Sequence, residues 1–236
     1  MARHRLHSTL RRMRDDWDQR ARTNARHYVA TGQTRWTDEE FFASGRQEIA
    51  EDILNDLENV CQGRDPKSMR VLEIGCGAGR VTRALGEVFG EVHAVDVSGE
   101  MVRLAREAAA GMTNVFVYQN NGMDLSVIPN VPFDFAFSVI VFQHIPSLHV
   151  IESYVRDVGR LLRPGGLFKF QVLGHPPAEP SRWRKLVRWL RYRNNSWYGV
   201  TIGSGEAEAI AGRCGFELRY QTGAGTSEYW LWMFRR

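Results

Sequence analysis

Asp96 closes the apolar run Glu91–Val95 and stands about twenty residues beyond three closely spaced glycines, Gly75, Gly77 and Gly79. An acid at that interval can accept hydrogen bonds from both hydroxyls of a ribose. Glu73 lies just ahead of the glycines, inside the short apolar run Val71–Ile74. Glycine takes φ > 0 freely and lets a ligand approach the main chain closely. Three of them at alternate positions, between an apolar and an amphipathic run, suggest a loop wrapped around a small molecule. Asp124 follows the turn Asn120-Asn121-Gly122. His144 follows the long apolar run Phe133–Val141 and is of a type that can titrate near neutrality, so it is the candidate general base; packing or capping of its helix is the competing role. The chain has no HExxH run and no cysteine cluster at ligand spacing, so no metal is expected.

These groups need elements to hold them. Val71–Ile74, Glu91–Val95, Val115–Tyr118, Phe133–Val141 and Leu167–Leu173 read as strands, the fourth apolar nearly throughout, as a strand covered on both faces would be. Helices fall between them: Arg80–Phe89, a Ser98-capped helix to about Ala110, and one ending at Leu162 before Arg163-Pro164-Gly165-Gly166. A last helix, Gly205–Cys214, precedes strands at Phe216–Gln221 and Tyr229–Phe234. Strands alternating with helices predict a mainly parallel sheet with right-handed crossovers. Ahead of the alternation, the spacing predicts a helix from Met13 to about Ala30, with residues 1–14 mobile. Thr37 and Glu40 form a capping box, a break falls near Ser44-Gly45, and a helix from about Arg46 to Cys61 places Ile49, Ile53, Leu54, Leu57 and Val60 on one face.

The chain has 236 residues, 43% of them hydrophobic, which suits one well-buried core with additions. Its net charge of +4 is unevenly spread. Residues 1–14 carry five arginines and no acid, and residues 182–193 carry five arginines, one lysine and no acid. Subtracting those eleven charges from +4 leaves about −7 for the remainder, so the basicity belongs to two appendages. In Ser181–Arg193, Trp183, Leu186, Val187 and Leu190 share a helical face. That basic amphipathic segment reads as a cover for the active site, with an anionic membrane and a phosphate backbone as competing partners. Three cysteines without a CxxC pair fit a reducing compartment, and with no signal peptide or spanning segment the expected location is cytoplasmic.

Dinucleotide dehydrogenases carry GxGxxG, whereas in Gly75-Cys76-Gly77-Ala78-Gly79-Arg80 the third glycine comes one residue early. With Glu73 ahead of it, this run resembles the class I S-adenosylmethionine-dependent methyltransferases. The resemblance covers roughly residues 65–236 and extends to Asp96-Val97-Ser98-Gly99-Glu100-Met101, Asn121-Gly122-Met123-Asp124, Phe133-Asp134, Phe142-Gln143-His144-Ile145 and Leu161–Gly166. It implies an α/β, Rossmann-like three-layer sandwich with a seven-stranded, mostly parallel sheet in the order 3-2-1-4-5-7-6. Residues 1–62 would form an N-terminal helical extension or lid, and residues 63–236 the methyltransferase domain, with a basic helical insert at about 176–200.

The resemblance further implies that the cofactor S-adenosylmethionine lies along Gly75, Cys76, Gly77 and Gly79. Glu73 would orient its amino group, Asp96 take the ribose hydroxyls, Val97 and Met101 pack on adenine, and Asp124 and the Met123 amide meet the adenine edge. Ser138 would lie next to the sulfonium, and Tyr28 or Arg46 from the extension could reach the methionine carboxylate. The implied reaction is in-line transfer of the methyl to oxygen or nitrogen of a small molecule. Methylation of RNA or protein, and a non-catalytic cofactor-binding scaffold, are the competing readings.

Overall fold

The computed structural model describes residues 2–174, 197 and 199–236. Most of the basic insert expected at about 176–200, including Ser181–Arg193, lies outside the described residues. The strands are β1 (Arg70–Ile74), β2 (Glu91–Asp96), β3 (Val115–Gln119), β4 (Phe133–Ser138), β5 (Leu162–Val172), β6 (Phe216–Thr222) and β7 (Tyr229–Arg235). They form one sheet in the order β3-β2-β1-β4-β5-β7-β6. β1 to β5 run parallel, and β7 is antiparallel to both β5 and β6. The expected order is thus the observed one.

Helices α4 (Arg80–Val88), α5 (Gly99–Ala108), α6 (Leu148–Leu161) and α7 (Ser204–Arg213) follow the alternation. β4, at the centre, is buried at every position. One core layer joins Leu72, Phe133 and Phe216 of the sheet to Tyr154 and Val155 of α6 and Ile210 of α7; a second, on the opposite face, joins Val71, Phe135 and Phe137 to Val81 and Leu85 of α4. Two strand limits move. β4 stops at Ser138, because Ile140 turns to φ +57° and ends the pairing. β5 starts at Leu162, which pairs with Phe133, and Arg163–Gly166 is bulged out before Leu167 meets Phe135.

The N-terminal region departs further from expectation. Helix α1 spans Ala2–Val29, because Leu10 and Met13 anchor its first half in the core, and it kinks where Asn24 takes φ −167° and ψ 80°. Asn24 Oδ1 accepts the His27 amide at 3.2 Å, recapping the last turn. The Thr37–Glu40 capping box opens α2 (Asp38–Asp52) as expected. The break expected at Ser44-Gly45 does not occur. Gly45 is there for close packing: a Cβ on it would lie 2.2 Å from the Arg80 carbonyl oxygen. The single helix expected over Arg46–Cys61 is instead the end of α2, a short 3-10 turn at Leu54–Asp56 and α3 (Leu57–Cys61). That interruption leaves Leu54 and Leu57 exposed while Ile49, Ile53 and Val60 stay buried. No helix among the described residues is long and apolar enough to cross a membrane.

Candidate active site

The C-terminal ends of β1, β2 and β4 open into a cleft of about 910 Å³, its mouth included, roofed by α1. Its floor begins at Gly75 (φ +79°) and Gly77 (φ +50°), conformations that a side chain would strain. Space matters as much. A Cβ on Gly75 would stand 2.2 Å from Val141 Cγ2, and one on Gly77 would stand 2.7 Å from Val29 Cγ2. These glycines therefore let the β4 loop and the end of α1 close onto the turn. Gly79 does not line the cleft; a Cβ there would meet Ala105 and Ala108 of α5.

Asp96 is fixed by the backbone. Its Oδ2 accepts the Gly77 amide at 3.0 Å and its Oδ1 the Ser98 amide at 2.8 Å. Enclosure beneath α1 raises its pKa to about 6, while the Ser98, Gly77 and Val97 amides pull the other way. Ser98 also caps α5, its hydroxyl accepting the Met101 amide at 3.1 Å and donating to Asp18 Oδ1 of α1 at 2.6 Å. Asp18 takes the Glu100 amide too, at 3.2 Å. The loop that holds Asp96 is thus the loop on which the roof is seated.

Glu73 lies deeper, 3% exposed, and its Oε2 reaches no hydrogen-bond partner. Burial raises its carboxyl to about 7; Thr82 and Arg80 oppose that rise, although the Thr82 hydroxyl makes no hydrogen bond within 3.5 Å, and the Asp96 charge adds to it. The raised group binds a proton in the folded state that the unfolded chain releases near pH 4.5. Its stabilisation is full below that pH and is lost as pH rises through about 7. A rise from 4.5 to about 7 corresponds to about 3 kcal/mol. Asp96 and Asp52, the latter raised to about 7 chiefly by burial, act in the same direction. The difference between wild type and Glu73→Gln isolates the one group. Without ligand, the melting temperature of Glu73→Gln should fall less than that of wild type between about pH 5 and 8; parallel curves in thermal melts would show that Glu73 is ionised throughout.

Several expected site residues gather here. Glu73, Gly75, Cys76, Gly77, Asp96, Val97, Met101, Tyr28 and His144 all line the cleft. Met123 lines a separate cavity beside His7, Arg11 and Arg14. Asp124 spends its carboxylate on its own turn, accepting from Asn121 Nδ2 at 3.0 Å and from the Ser126 hydroxyl at 2.6 Å. Ser138 is fully buried and donates to the Ile74 carbonyl at 2.8 Å, stitching β4 to β1. Arg46 is exposed and outside the cleft. The arginine that reaches it is Arg80, 5% exposed, donating to the Ser44 carbonyl at 3.0 Å and to Glu48 at 3.1 Å.

His144 donates from Nδ1 to the Trp197 carbonyl at 2.6 Å, which sets the tautomer and leaves Nε2 as an acceptor, approached by Gln143 Nε2 at 3.5 Å. Burial lowers its pKa to about 4. Ile140, in the cleft wall, holds a left-handed conformation unusual for a β-branched residue, secured by its amide donating to Gln171 Oε1 at 3.1 Å. The sequence carries no signal for that strain.

Residues 71–166 match the model of the methyltransferase domain family. The sheet carries the family's strand order, with the glycine turn and Asp96 at adjoining strand ends. This is a class I methyltransferase fold. A magnesium protoporphyrin IX methyltransferase from Synechocystis, solved with S-adenosylhomocysteine bound, shares it at a TM-score of 0.64 and 18% identity, over 94% of this chain and 98% of that one. The complex of DhpI with S-adenosylhomocysteine shares it at 0.61 and 20% identity, over 95% and 97%. A ubiquinone biosynthesis O-methyltransferase of Xanthomonas oryzae is 28% identical over 123 residues, 52% of this chain and 50% of that protein. Another, from Sinorhizobium fredii, is 28% identical over 178 residues, 70% of each. The chain spans about half the length of the first of these relatives.

The chemistry of the cleft can be set against what the cofactor of such folds needs. The Asp96 carboxylate is of the kind that can accept ribose hydroxyls, Val97 and Met101 supply an apolar wall, and the unpartnered Glu73 Oε2 could take a donor such as an ammonium group. Among the described residues, no group of three or more His, Cys, Asp or Glu side chains could hold a metal ion.

Proposed function

We propose that this protein transfers a methyl group from S-adenosylmethionine to an oxygen or nitrogen of a small molecule. The observation that carries the reading is Asp96, held by the Gly77 and Ser98 amides at the mouth of the glycine turn and facing the same cleft as the unpartnered Glu73 oxygen. When bound, the cofactor supplies a sulfonium methyl already activated for displacement. Asp96 would hold the ribose and Glu73 the amino group, and Met101 and Val97 would flank the base. Arg80 lines the cleft beside Glu73 and is suited to the carboxylate end. The ubiquinone and porphyrin relatives support an acceptor of small-molecule size. Three free cysteines fit a cytoplasmic location.

What remains for the protein is placement of the acceptor in line behind the methyl, within a site that α1 shields from water. Placement of that kind supplies roughly 7–11 kcal/mol. His144 contributes by holding Trp197 in position. With its pKa lowered to about 4, it is a weak proton acceptor at neutral pH. The test is labelled-methyl transfer from S-adenosylmethionine into fractionated small molecules of a cell extract, read by mass spectrometry. Label confined to RNA or protein, or no transfer despite cofactor binding, would defeat the proposal. On the acceptor so found, His144→Gln should reduce turnover less than about tenfold, whereas a loss of about 10²–10⁴-fold would restore the general base.

A further inference from the structure

The wall that α1 gives the cleft adds an aromatic and cationic chemistry. Trp17 of α1 meets His144 edge to face, with ring centroids 5.1 Å apart, and stacks near Trp197 at 6.2 Å with planes 28° apart. Tyr28 closes on Trp197 at 6.0 Å, edge to face. Trp17, Tyr28 and His144 line the cleft, and Arg20 and Trp197 adjoin it through their contacts with Trp17. Arg20, one turn beyond Trp17 on α1, brings its guanidinium carbon 4.7 Å from the Trp17 ring centre and 5.2 Å from that of Trp197.

Two aromatic faces without a charge between them would suit a cation or a neutral ring. Arg20 changes that choice. Its guanidinium stays charged at any physiological pH, is partly withdrawn from solvent, and repels a cationic ligand. Asp16 lies within electrostatic reach of it, but a planar fork of five N–H donors can serve more than one acceptor. The acids that line the cleft, Glu73 and Asp96, belong to β1 and β2 rather than to α1. We propose that Trp17, Arg20 and Trp197 form the acceptor subsite and select a planar ring bearing an anionic group, the ring lying against the indoles and the carboxylate or phosphate on Arg20. A carboxylate or a phosphate monoester would be recognised by the same bidentate geometry. Calling this the acceptor subsite rests on the methyltransferase reading; the binding of such an anion does not.

Benzoate, phenyl phosphate and the neutral analogue benzamide are the probes, titrated by calorimetry with and without saturating S-adenosylhomocysteine. Benzoate or phenyl phosphate should bind saturably in the millimolar range, and the stronger of the two identifies the anion. Benzamide should bind at least about tenfold more weakly, as expected for loss of a charge-assisted hydrogen bond. Arg20→Gln should weaken the anion to the benzamide level while S-adenosylhomocysteine affinity stays within about twofold. If that variant is poorly folded, Arg20→Lys decides: it keeps the charge but loses the fork and should weaken the better anion severalfold. Benzamide binding equal to benzoate, anion binding unchanged in both variants, or no binding of either anion at millimolar concentration would overturn the subsite. Arg20-dependent benzoate binding in a protein that does not bind S-adenosylhomocysteine would keep the subsite and remove the methyltransferase reading.

Discussion

Asp96→Ala should weaken S-adenosylhomocysteine binding by about 10²–10⁴-fold, measured by calorimetry, because two charge-assisted hydrogen bonds to the ribose would be lost together. The variant also strips the Gly77 and Ser98 amides of their acceptor. Ser98 meanwhile keeps its bonds to Met101 and Asp18, so α5 and the seat of α1 have other support. Asp96→Asn separates the two effects. Its amide keeps one acceptor oxygen for the turn but cannot take both hydroxyls as an anion, so most of the affinity loss should persist. Affinity within threefold of wild type in Asp96→Ala would sink the ribose assignment.

Lys169→Ala should cost about 3–5 kcal/mol of stability in chemical denaturation, the usual consequence of removing one partner of a buried ion pair. Lys169 is 3% exposed in the middle of β5. Its ammonium pairs with Asp56 Oδ2 at 2.9 Å, donates to the Asp52 carbonyl, and lies 4.6 Å from the Trp232 ring centre. Trp232 Nε1 donates to the same Asp56 oxygen at 2.7 Å. Alanine would leave Asp56 with Trp232 and Asn59 but no cation, and would open a void beneath α2. A loss under about 1 kcal/mol would mean that water replaces the pair freely.

The strand–helix alternation, the α5 cap, the α2 capping box and the acids Glu73 and Asp96 were legible in the sequence, since each depends on residues near in sequence or on strand and helix periodicity, while the strand order came only from the family resemblance. What escaped depends on distant partners. Gly45 looks like a helix breaker until the Arg80 backbone is placed against it. Arg80 passes as part of a glycine motif, and only the structure shows it joined to Ser44 and Glu48. The polar turn at Asn121–Asp124 resembles a ligand contact because the same side chains that could meet an adenine also close an Asx turn, which is where the structure spends them. Trp17 and Trp197 stack on one another across 180 positions of chain, beyond the reach of any local pattern.

The contact of Gly45 with the Arg80 backbone bears on how the molecule comes apart. Ile49, Ile53 and Val60 share one continuous core with Val71, Val81, Phe135 and Phe137. The Glu48–Arg80 and Asp56–Lys169 pairs cross the same seam. A boundary at residue 62 therefore cuts through packed interior rather than through a linker. Peeling α2 and the turn after it away would bare apolar core on one face of the sheet and leave Arg80 and Lys169 without their acids, so local opening there should be costly. Helix α2 and the sheet it packs on should therefore unfold together, and a shortened version lacking residues 1–62 should be less stable than the full chain.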